Sequence, residues 1–319
     1  MTMIDEIDKI IFISTWNIGC GIATYTKYLS EELNKLYPKL FMVDPINQGA
    51  LDHYINGKLV HLQHEFGIVP ELPNTDNKVI ITWHSVYKPQ YAVYKLESRL
   101  NAVAHIVHCE DASKCIDTLS DIYVIDHGSA LIPEMKKEDA RKILGINNVN
   151  KPIGFIFGFQ SANKKYDEII NAAKNTNIHI IVSGAKHESG YKTNLSNSDN
   201  ITFIDRCLTE KDVNLYALAS DLLLFDYVGQ DHYSCSGAMH RTIGAGRPVV
   251  CSNTKHFSDL TDGRNALKFN NQEELEECIE FALANPKKFG RAARAYAKET
   301  SWNNVAKKHL EIYSHYVDI

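Results

Sequence analysis

The stretch 219–253, ASDLLLFDYVGQDHYSCSGAMHRTIGAGRPVVCSN, decides the fold. Leu222, Leu223, Leu224 and Phe225 form an apolar run between Asp221 and Asp226 and read as a buried strand. A polar loop follows, ending in Ser234-Cys235-Ser236-Gly237-Ala238. A short helical segment, Met239 to Ala245, then leads through Gly246-Arg247-Pro248 into a second strand, Val249-Val250-Cys251. Strand, small-residue loop, helix and strand make a βαβ unit, in which ligands bind beyond the carboxyl ends of the strands. A helix start preceded by Ser-Gly-Ala offers unpaired N–H groups to an anion. The same loop alone is equally an ordinary βα turn, so the rest of the chain has to decide.

The chain has 319 residues, a length that suits two domains rather than one. Its 44% hydrophobic and 23% charged residues are ordinary for a soluble globular protein. The opening residues lack the basic and apolar regions of a signal peptide, and no apolar run approaches the ~20 residues that span a bilayer. Seven scattered cysteines, an odd number without CxxC or Cys/His zinc spacing, point to reduced thiols and a cytoplasmic location. His105, His108, Cys109 and Cys115 cluster, but Ile106-Val107 between them read as a strand, so no metal site is expected. The net charge of −5 lies in the first part: residues 1–132 hold 10 Lys/Arg against 16 Asp/Glu. That is a poor footprint for nonspecific nucleic-acid binding.

Lys9 to Ser14 is an apolar strand, followed by Gly19-Cys20-Gly21 and a helix with apolar spacing at Ile22, Tyr25, Leu29 and Leu33. A second strand, Leu40 to Val43, ends at Asp44. This resembles a dinucleotide-binding opening, except that Thr24 stands where the third glycine belongs. Strands at Leu59–Gln63, Val79–Thr82, His105–His108 and Ile122–Ile125 follow, and three strand ends deliver His64, His84 and His127. One such histidine is usually structural. Three, with Glu65 adjacent, favour a shared site. The alternation breaks between Leu131 and Asn150, which reads as a linker, and resumes at Ile153 through Gly184-Ala185-Lys186 to the stretch quoted above. Helices close the chain, the last beginning near Ser301-Trp302. The expected fold is α/β, with two Rossmann-like doubly wound domains facing each other across a cleft.

Taken in order, Gly19-Cys20-Gly21, Gln63-His64-Glu65-Phe66-Gly67, Thr82-Trp83-His84, His127-Gly128, Gly158-Phe159…Lys164, Ala219-Ser220-Asp221…Tyr227 and Ser236-Gly237-Ala238…Gly246-Arg247-Pro248 resemble the GT-B retaining glycosyltransferases of the GT4 group. The resemblance runs over essentially the whole chain. It implies an N-terminal acceptor domain at 1–132, a linker at 133–150, a nucleotide-sugar domain at 151–300, and a C-terminal helix at 301–319 packing back on the first domain. By position it implies that Lys164 pairs with the donor diphosphate and that Ser236, Gly237 and Ala238 share that task. It places His84 beside the donor sugar, Gly19, Cys20 and Gly21 in the loop admitting diphosphate and acceptor, and Arg206-Cys207-Leu208 at the nucleobase. His64, Glu65 and His127 are the acceptor-side candidates. No cofactor or metal is implied; the donor is a substrate, and UDP and GDP are not distinguished.

The sequence departs from the family in one respect. Most members carry two glutamates eight positions apart, and here those positions hold Tyr233 and Arg241. Asp231 is the candidate replacement for the first acid, and Arg241 is carried as a donor contact. Gln160-Ser161-Ala162-Asn163 fills the turn where the family has an arginine, which makes Gln160 a further donor candidate. The expected acceptor is a glycan, a glycolipid or a small hydroxyl compound, ahead of a modified nucleic-acid base. Two other readings stay open: a nicotinamide-dependent oxidoreductase using Gly19, Gly21 and Asp44, and a nonenzymatic nucleotide or sugar sensor.

Overall fold

The computed structural model describes residues 10–38, 40–46, 59–69, 75–87, 100–184, 198–229 and 231–318. In chain order the elements begin β1 (Ile10–Ser14), α1 (Gly21–Leu36), β2 (Phe41–Pro45), β3 (Leu59–His64), β4 (Lys78–Trp83), β5 (Ser85–Tyr87) and β6 (Ala102–Val107). Then come α2 (Glu110–Ser113), β7 (Asp121–Val124), α3 (Lys137–Leu144), β8 (Ile153–Phe157), α4 (Tyr166–Asn175), β9 (His179–Ser183) and β10 (Ile201–Ile204). The chain continues with α5 (Glu210–Ala219), β11 (Leu222–Phe225), β12 (His232–Ser234), α6 (Gly237–Thr242) and β13 (Val249–Ser252). It finishes with β14 (Leu267–Phe269), α7 (Gln272–Ala284), α8 (Pro286–Glu299) and α9 (Trp302–Ser314).

Contacts divide the chain into two units. The first comprises Met1–Gly128, Asp231–Cys235 and Trp302–Ile319; the second comprises Ser129–Gln230 and Ser236–Ser301. Each holds a six-stranded sheet, ordered β2-β1-β3-β4-β6-β7 in the first and β10-β9-β8-β11-β13-β14 in the second. All pairings within these sheets are parallel. Both are doubly wound, so the fold is α/β with two Rossmann-like units. The strand order reverses between β1 and β3 in the first sheet and between β8 and β11 in the second. Those two switch points are where such sheets open a crevice for ligands.

Strands buried on both faces require continuous apolar runs, and β1 (IIFIS), β8 (IGFIF) and β11 (LLLF) supply them. In the first unit, α9 lays Trp302, Val305, Ala306, Ile312 and Tyr313 into one core with Ile10, Phe12, Tyr25 and Leu29. Gly128 sits under Trp302, where an added Cβ would lie 2.3 Å from the indole ring. The first unit also owns β12, which pairs antiparallel with β5 through His232–Tyr87, Tyr233–Val86 and Ser234–Ser85. The loop after Phe225, read from sequence as wholly part of the second domain, is therefore divided between the units.

Residues 133–150 do not form a free linker. Within them α3 buries Ala140 in the core of the second unit, alongside Ile153, Leu218 and Ala219. Arg141 Nη2 reaches Asp221 Oδ2 at 2.6 Å, and Lys137 pairs with the other carboxylate oxygen. The chain breaks the βα alternation here because an extra helix packs beside α5.

A buried polar network lies behind Ser129, the first residue of the second unit. Ser129 Oγ is 2.8 Å from His240 Nδ1 and 2.8 Å from Thr300 Oγ1. His240 Nε2 is 2.8 Å from Asp259 Oδ2, to which Tyr296 also donates at 2.9 Å. The residue types are those of a hydrolase triad, but Ser129 is 1% and His240 0% exposed, so the arrangement serves packing. Burial works to raise the Asp259 pKa; the His240 and Tyr296 contacts outweigh it and hold the carboxyl below its usual range. Its stabilising contribution is present at neutral pH and is lost as acid protonates it. Replacing Asp259 with Ala removes the buried acceptor that His240 Nε2 and the Tyr296 hydroxyl share and should cost about 3 kcal/mol. Urea denaturation checks this, and a loss below about 0.5 kcal/mol, the scale of a surface change, would contradict it.

Candidate functional site

The stronger constellation lies at the switch point of the second unit. After β8, Gly158 adopts φ +124°, a conformation that disfavours any side chain. The chain returns at Lys164, which forms an isolated bridge with Tyr227 just beyond β11. Val228 N–H donates to Asn163 O at 2.7 Å and Lys165 N–H to Asp226 O at 3.0 Å, so the lysine is fixed from both sides. Its ammonium lies 5.6 Å from the centre of the Tyr227 ring. A Cβ on Gly158 would come within 2.5 Å of Lys164 Nζ and 3.0 Å of Ala238 Cβ. The missing side chain thus makes room for the ammonium beside the Ser236-Gly237-Ala238 loop.

Ser236 caps α6 by accepting from Met239 N–H at 3.3 Å, and its hydroxyl is 3.0 Å from the Tyr227 hydroxyl. This bond orients Tyr227 beneath the lysine. Lys164 has no carboxylate partner among the described residues, and burial lowers its pKa to about 7. The folded chain therefore holds a cation poised to lose its proton unless an anion arrives. Arg241 lies nearby in the fold, its guanidinium 5.0 Å from the centre of the Phe157 ring at the end of β8.

Two donor-side candidates are engaged by neighbours within the second unit. Gln160 is 1% exposed and its amide donates to Gly184 O at 2.9 Å, tying the end of β8 to the end of β9. Arg206 is engaged with Asp212 Oδ2 at 2.9 Å, in the capping box that opens α5. Cys207 beside it is exposed, and Leu208 packs partly into the core. Of the expected loop Gly184-Ala185-Lys186, the last two residues lie outside the described ones.

The first unit gathers the histidines around Tyr25 of α1. The Tyr25 ring meets His84 at 4.9 Å, His127 at 5.1 Å, His108 at 5.4 Å and Trp302 at 5.0 Å between centroids. Its hydroxyl is buried without a partner among the described residues. His84 Nε2 lies 3.0 Å from Gln63 Oε1, while Gln63 Nε2 faces His61 Nε2 at 3.2 Å. That amide orientation makes His84 Nε2 the donor and leaves Nδ1 as an acceptor. Burial, together with the neighbouring His108 and His64, drives the His84 pKa well below its usual value, so the ring is neutral at pH 7. His64 is likewise neutral, burial lowering it to about 4.

Glu65 accepts from Ser85 Oγ at 2.8 Å and from Phe66 N–H at 3.0 Å. Burial nonetheless raises its pKa above the usual carboxylate value. His127 Nδ1 is 2.9 Å from Gly128 O. Gly19 and Gly21 are exposed at the start of α1, where Cys20 stands as N-cap without a side-chain capping bond, its Sγ instead accepting from Thr15 Oγ1 at 3.6 Å. Among the described residues, none lies within 4 Å of where a Cβ on Gly21 would point, its own chain neighbours aside. Asp231 is exposed immediately before β12, in the first unit and not in the second with Lys164. Tyr25 was missed by sequence reading: it occupies a core-facing helical position and looks like packing. His108 entered only as part of an unlikely metal cluster, and its Nδ1 faces Ile125 O at 2.9 Å.

No protein-family model matches the chain, and no curated protein matches it significantly. Solved structures do. Sucrose-phosphate synthase from Thermosynechococcus elongatus superposes with a TM-score of 0.72 at 15% identity, over 97% of this chain and 98% of that one. Anabaena HepE in complex with UDP-glucose gives 0.70 at 15% identity, over 96% and 99%. A trehalose-6-phosphate protein from E. coli, bound with UDP-2-fluoro glucose, gives 0.68 at 9% identity, over 97% and 99%. At such identities the likeness establishes the fold, the pair of Rossmann-like domains of GT-B. No helix among the described residues is long and apolar enough to cross a membrane.

Proposed function

We propose that this chain is a retaining glycosyltransferase of the GT4 kind, moving a sugar from a UDP-sugar to an acceptor hydroxyl. The observation that carries the reading is Lys164: a half-buried ammonium without a carboxylate partner among the described residues, held between Tyr227, Gly158 and Ala238 at the switch point of the second sheet. An anionic leaving group supplies the missing partner. The uridine nucleotides held by HepE and the E. coli protein favour UDP over GDP.

In the proposed reaction the bond between the anomeric carbon and the β-phosphate oxygen breaks while the acceptor oxygen bonds to the same face of that carbon. The acceptor proton passes to the departing phosphate oxygen. Lys164 keeps its own proton and, with the first N–H groups of α6, stabilises the charge that grows on the phosphate. Neutral His84, accepting through Nδ1, holds a donor-sugar hydroxyl, and Glu65 holds a hydroxyl of the acceptor. Arg241 and Asp231 take the place of the two family acids in gripping donor sugar and ribose. The scheme draws on no resident cofactor or metal.

The first test is UDP release from UDP-glucose with and without a panel of hydroxyl acceptors, with NMR reading the anomeric configuration of the product. Transfer with retention, unchanged by chelator, is expected. Binding of uridine nucleotides without hydrolysis or transfer would instead make the chain a sensor, and a preference for NAD would overturn the reading.

The Lys164 pKa gives a second test. With the ammonium pKa lowered to about 7, UDP should bind with near-constant affinity just below that value. Above it, affinity should weaken roughly tenfold per pH unit, with proton uptake on binding near pH 8. The free protein should move the other way: the unfolded lysine keeps its proton to higher pH, so stability rises with pH across that window. Titration calorimetry in buffers of different ionisation enthalpy checks the first effect. An affinity flat from pH 7 to 9 would show that Lys164 does not meet the diphosphate.

A further inference from the structure

A cavity of ≈ 650 Å³ opens on the second unit, lined by Glu134–Lys136, by Leu218 at the end of α5, by Ala245–Arg247 ahead of β13, and by the first turns of α8. Leu218 and Arg247 precede β11 and β13, whereas Gly158 and Tyr227 follow β8 and β11. The cavity therefore lies at the amino-terminal edge of the sheet, separated from Lys164 by about 13 Å of strand. Nothing in the proposed glycosyl transfer uses it.

Its charge is unusual for a chain of net −5. Lys136, Arg247, Lys287, Arg291 and Arg294 line it against a single lining acid, Glu134. Arg294 is committed, to Glu134 at 3.1 Å and to the carbonyl of Ile132 at 3.0 Å. Arg247 donates from Nη2 to Leu218 O at 2.6 Å, while its Nε is buried with no partner among the described residues. Two acids lie in the field of Arg247: Glu138, which is exposed, and Asp221, which is itself occupied by Arg141 at 2.6 Å, by Ile153 N–H at 2.7 Å and by Lys137. Helix α8 starts here with Pro286, without a side-chain cap and without an acid in its first turn, so its positive end adds to the field. Leu218 and Ala245 give the cavity an apolar wall. A bare phosphate would not fill this volume, which falls within the range of small-molecule sites.

The geometry points to a second anion site in this cavity, one that takes a phosphorylated small molecule. Its phosphate meets Arg247, Lys287 and Arg291, with guanidinium forks suited to bidentate contact, and its organic body rests on Leu218 and Ala245. The inference does not depend on the glycosyltransferase reading.

The test is calorimetric titration of the intact chain with inorganic pyrophosphate at low salt. A Lys164→Ala background removes any contribution from the donor position. Lys287 and Arg291 are exposed, so the pair Lys287→Glu and Arg291→Glu leaves the core untouched. Pyrophosphate should bind the Lys164→Ala protein at one equivalent, and the two charge reversals should weaken that binding at least tenfold while UDP affinity in the otherwise native chain stays unchanged. Binding that ignores the reversals, or no binding in the Lys164→Ala background at millimolar pyrophosphate, would overturn the site. Sedimentation with phosphatidylglycerol vesicles separates the two sources of such a phosphate. Vesicle binding abolished by the reversals identifies a lipid headgroup, and pyrophosphate binding without vesicle binding identifies a soluble ester.

Discussion

Lys164→Ala lowers turnover of UDP-glucose by about 10²–10³-fold, the loss found when one preorganised donor is removed from a developing anion. Folding does not suffer. In the free protein the ammonium has no ion pair to lose among the described residues, and its pKa, lowered to about 7, shows that burial disfavours the charged form. Lys164→Met, which keeps the aliphatic stem over Tyr227, should melt at or above the native temperature and be as inactive as the alanine variant. Steady-state kinetics beside a thermal melt reads both. Turnover within threefold of native would remove Lys164 from the reaction, and an equal collapse of stability would make it a structural residue.

Gly128→Ala should be among the most damaging single methyl additions to the first unit. The new Cβ would stand 2.3 Å from two atoms of the Trp302 ring and 2.6 Å from a third. The indole has no room to yield, since it also meets Tyr25 at 5.0 Å, Tyr28 at 5.6 Å and His127 at 5.6 Å between centroids. Overpacking of this kind costs about 3 kcal/mol, and the displaced rings include those that hold His84 and His127. Trp302→Leu on its own is destabilising, but combined with Gly128→Ala it should recover part of the loss, giving a non-additive cycle in urea denaturation. Strict additivity would show that the two residues do not meet.

What could be read in advance followed from periodicity and punctuation. The apolar runs of β8 and β11 and the small residues at 236–238 announce a βαβ unit because a strand buried on both faces has no other composition available. Strand order is silent in the sequence, so the switch points that single out Lys164 and Gly158 emerge only when the sheet is assembled. Pairing of β5 with β12 was also invisible: three residues each, Ser85–Tyr87 and His232–Ser234, carry no alternation to detect. Gln160 and Arg206 show another limit: both are polar residues in loops after strands, and the bonds they make, to Gly184 and to Asp212, are not marked by any pattern in the sequence. Tyr25 was hidden by its own helix, where an aromatic at a core-facing position predicts packing whether or not imidazoles surround it. Residues 133–150 misled because a charged helix flanked by proline and glycine looks solvated, whereas Lys137 and Arg141 spend their charge on Asp221.

The core of the first unit is closed by residues that a ribosome makes only after the whole second unit. Ile10, Phe12 and Tyr25 pack against Trp302, Val305 and Tyr313, yet the entire second unit is synthesised between them. At about 5–20 residues per second, a nascent amino-terminal half waits on the order of ten seconds or more with an apolar face uncovered, while the second unit can complete itself on the way. Any fragment ending near residue 132 leaves that face open for good. Chaperone dependence during synthesis, and aggregation of the isolated amino-terminal half, are thus written into the position of a single helix.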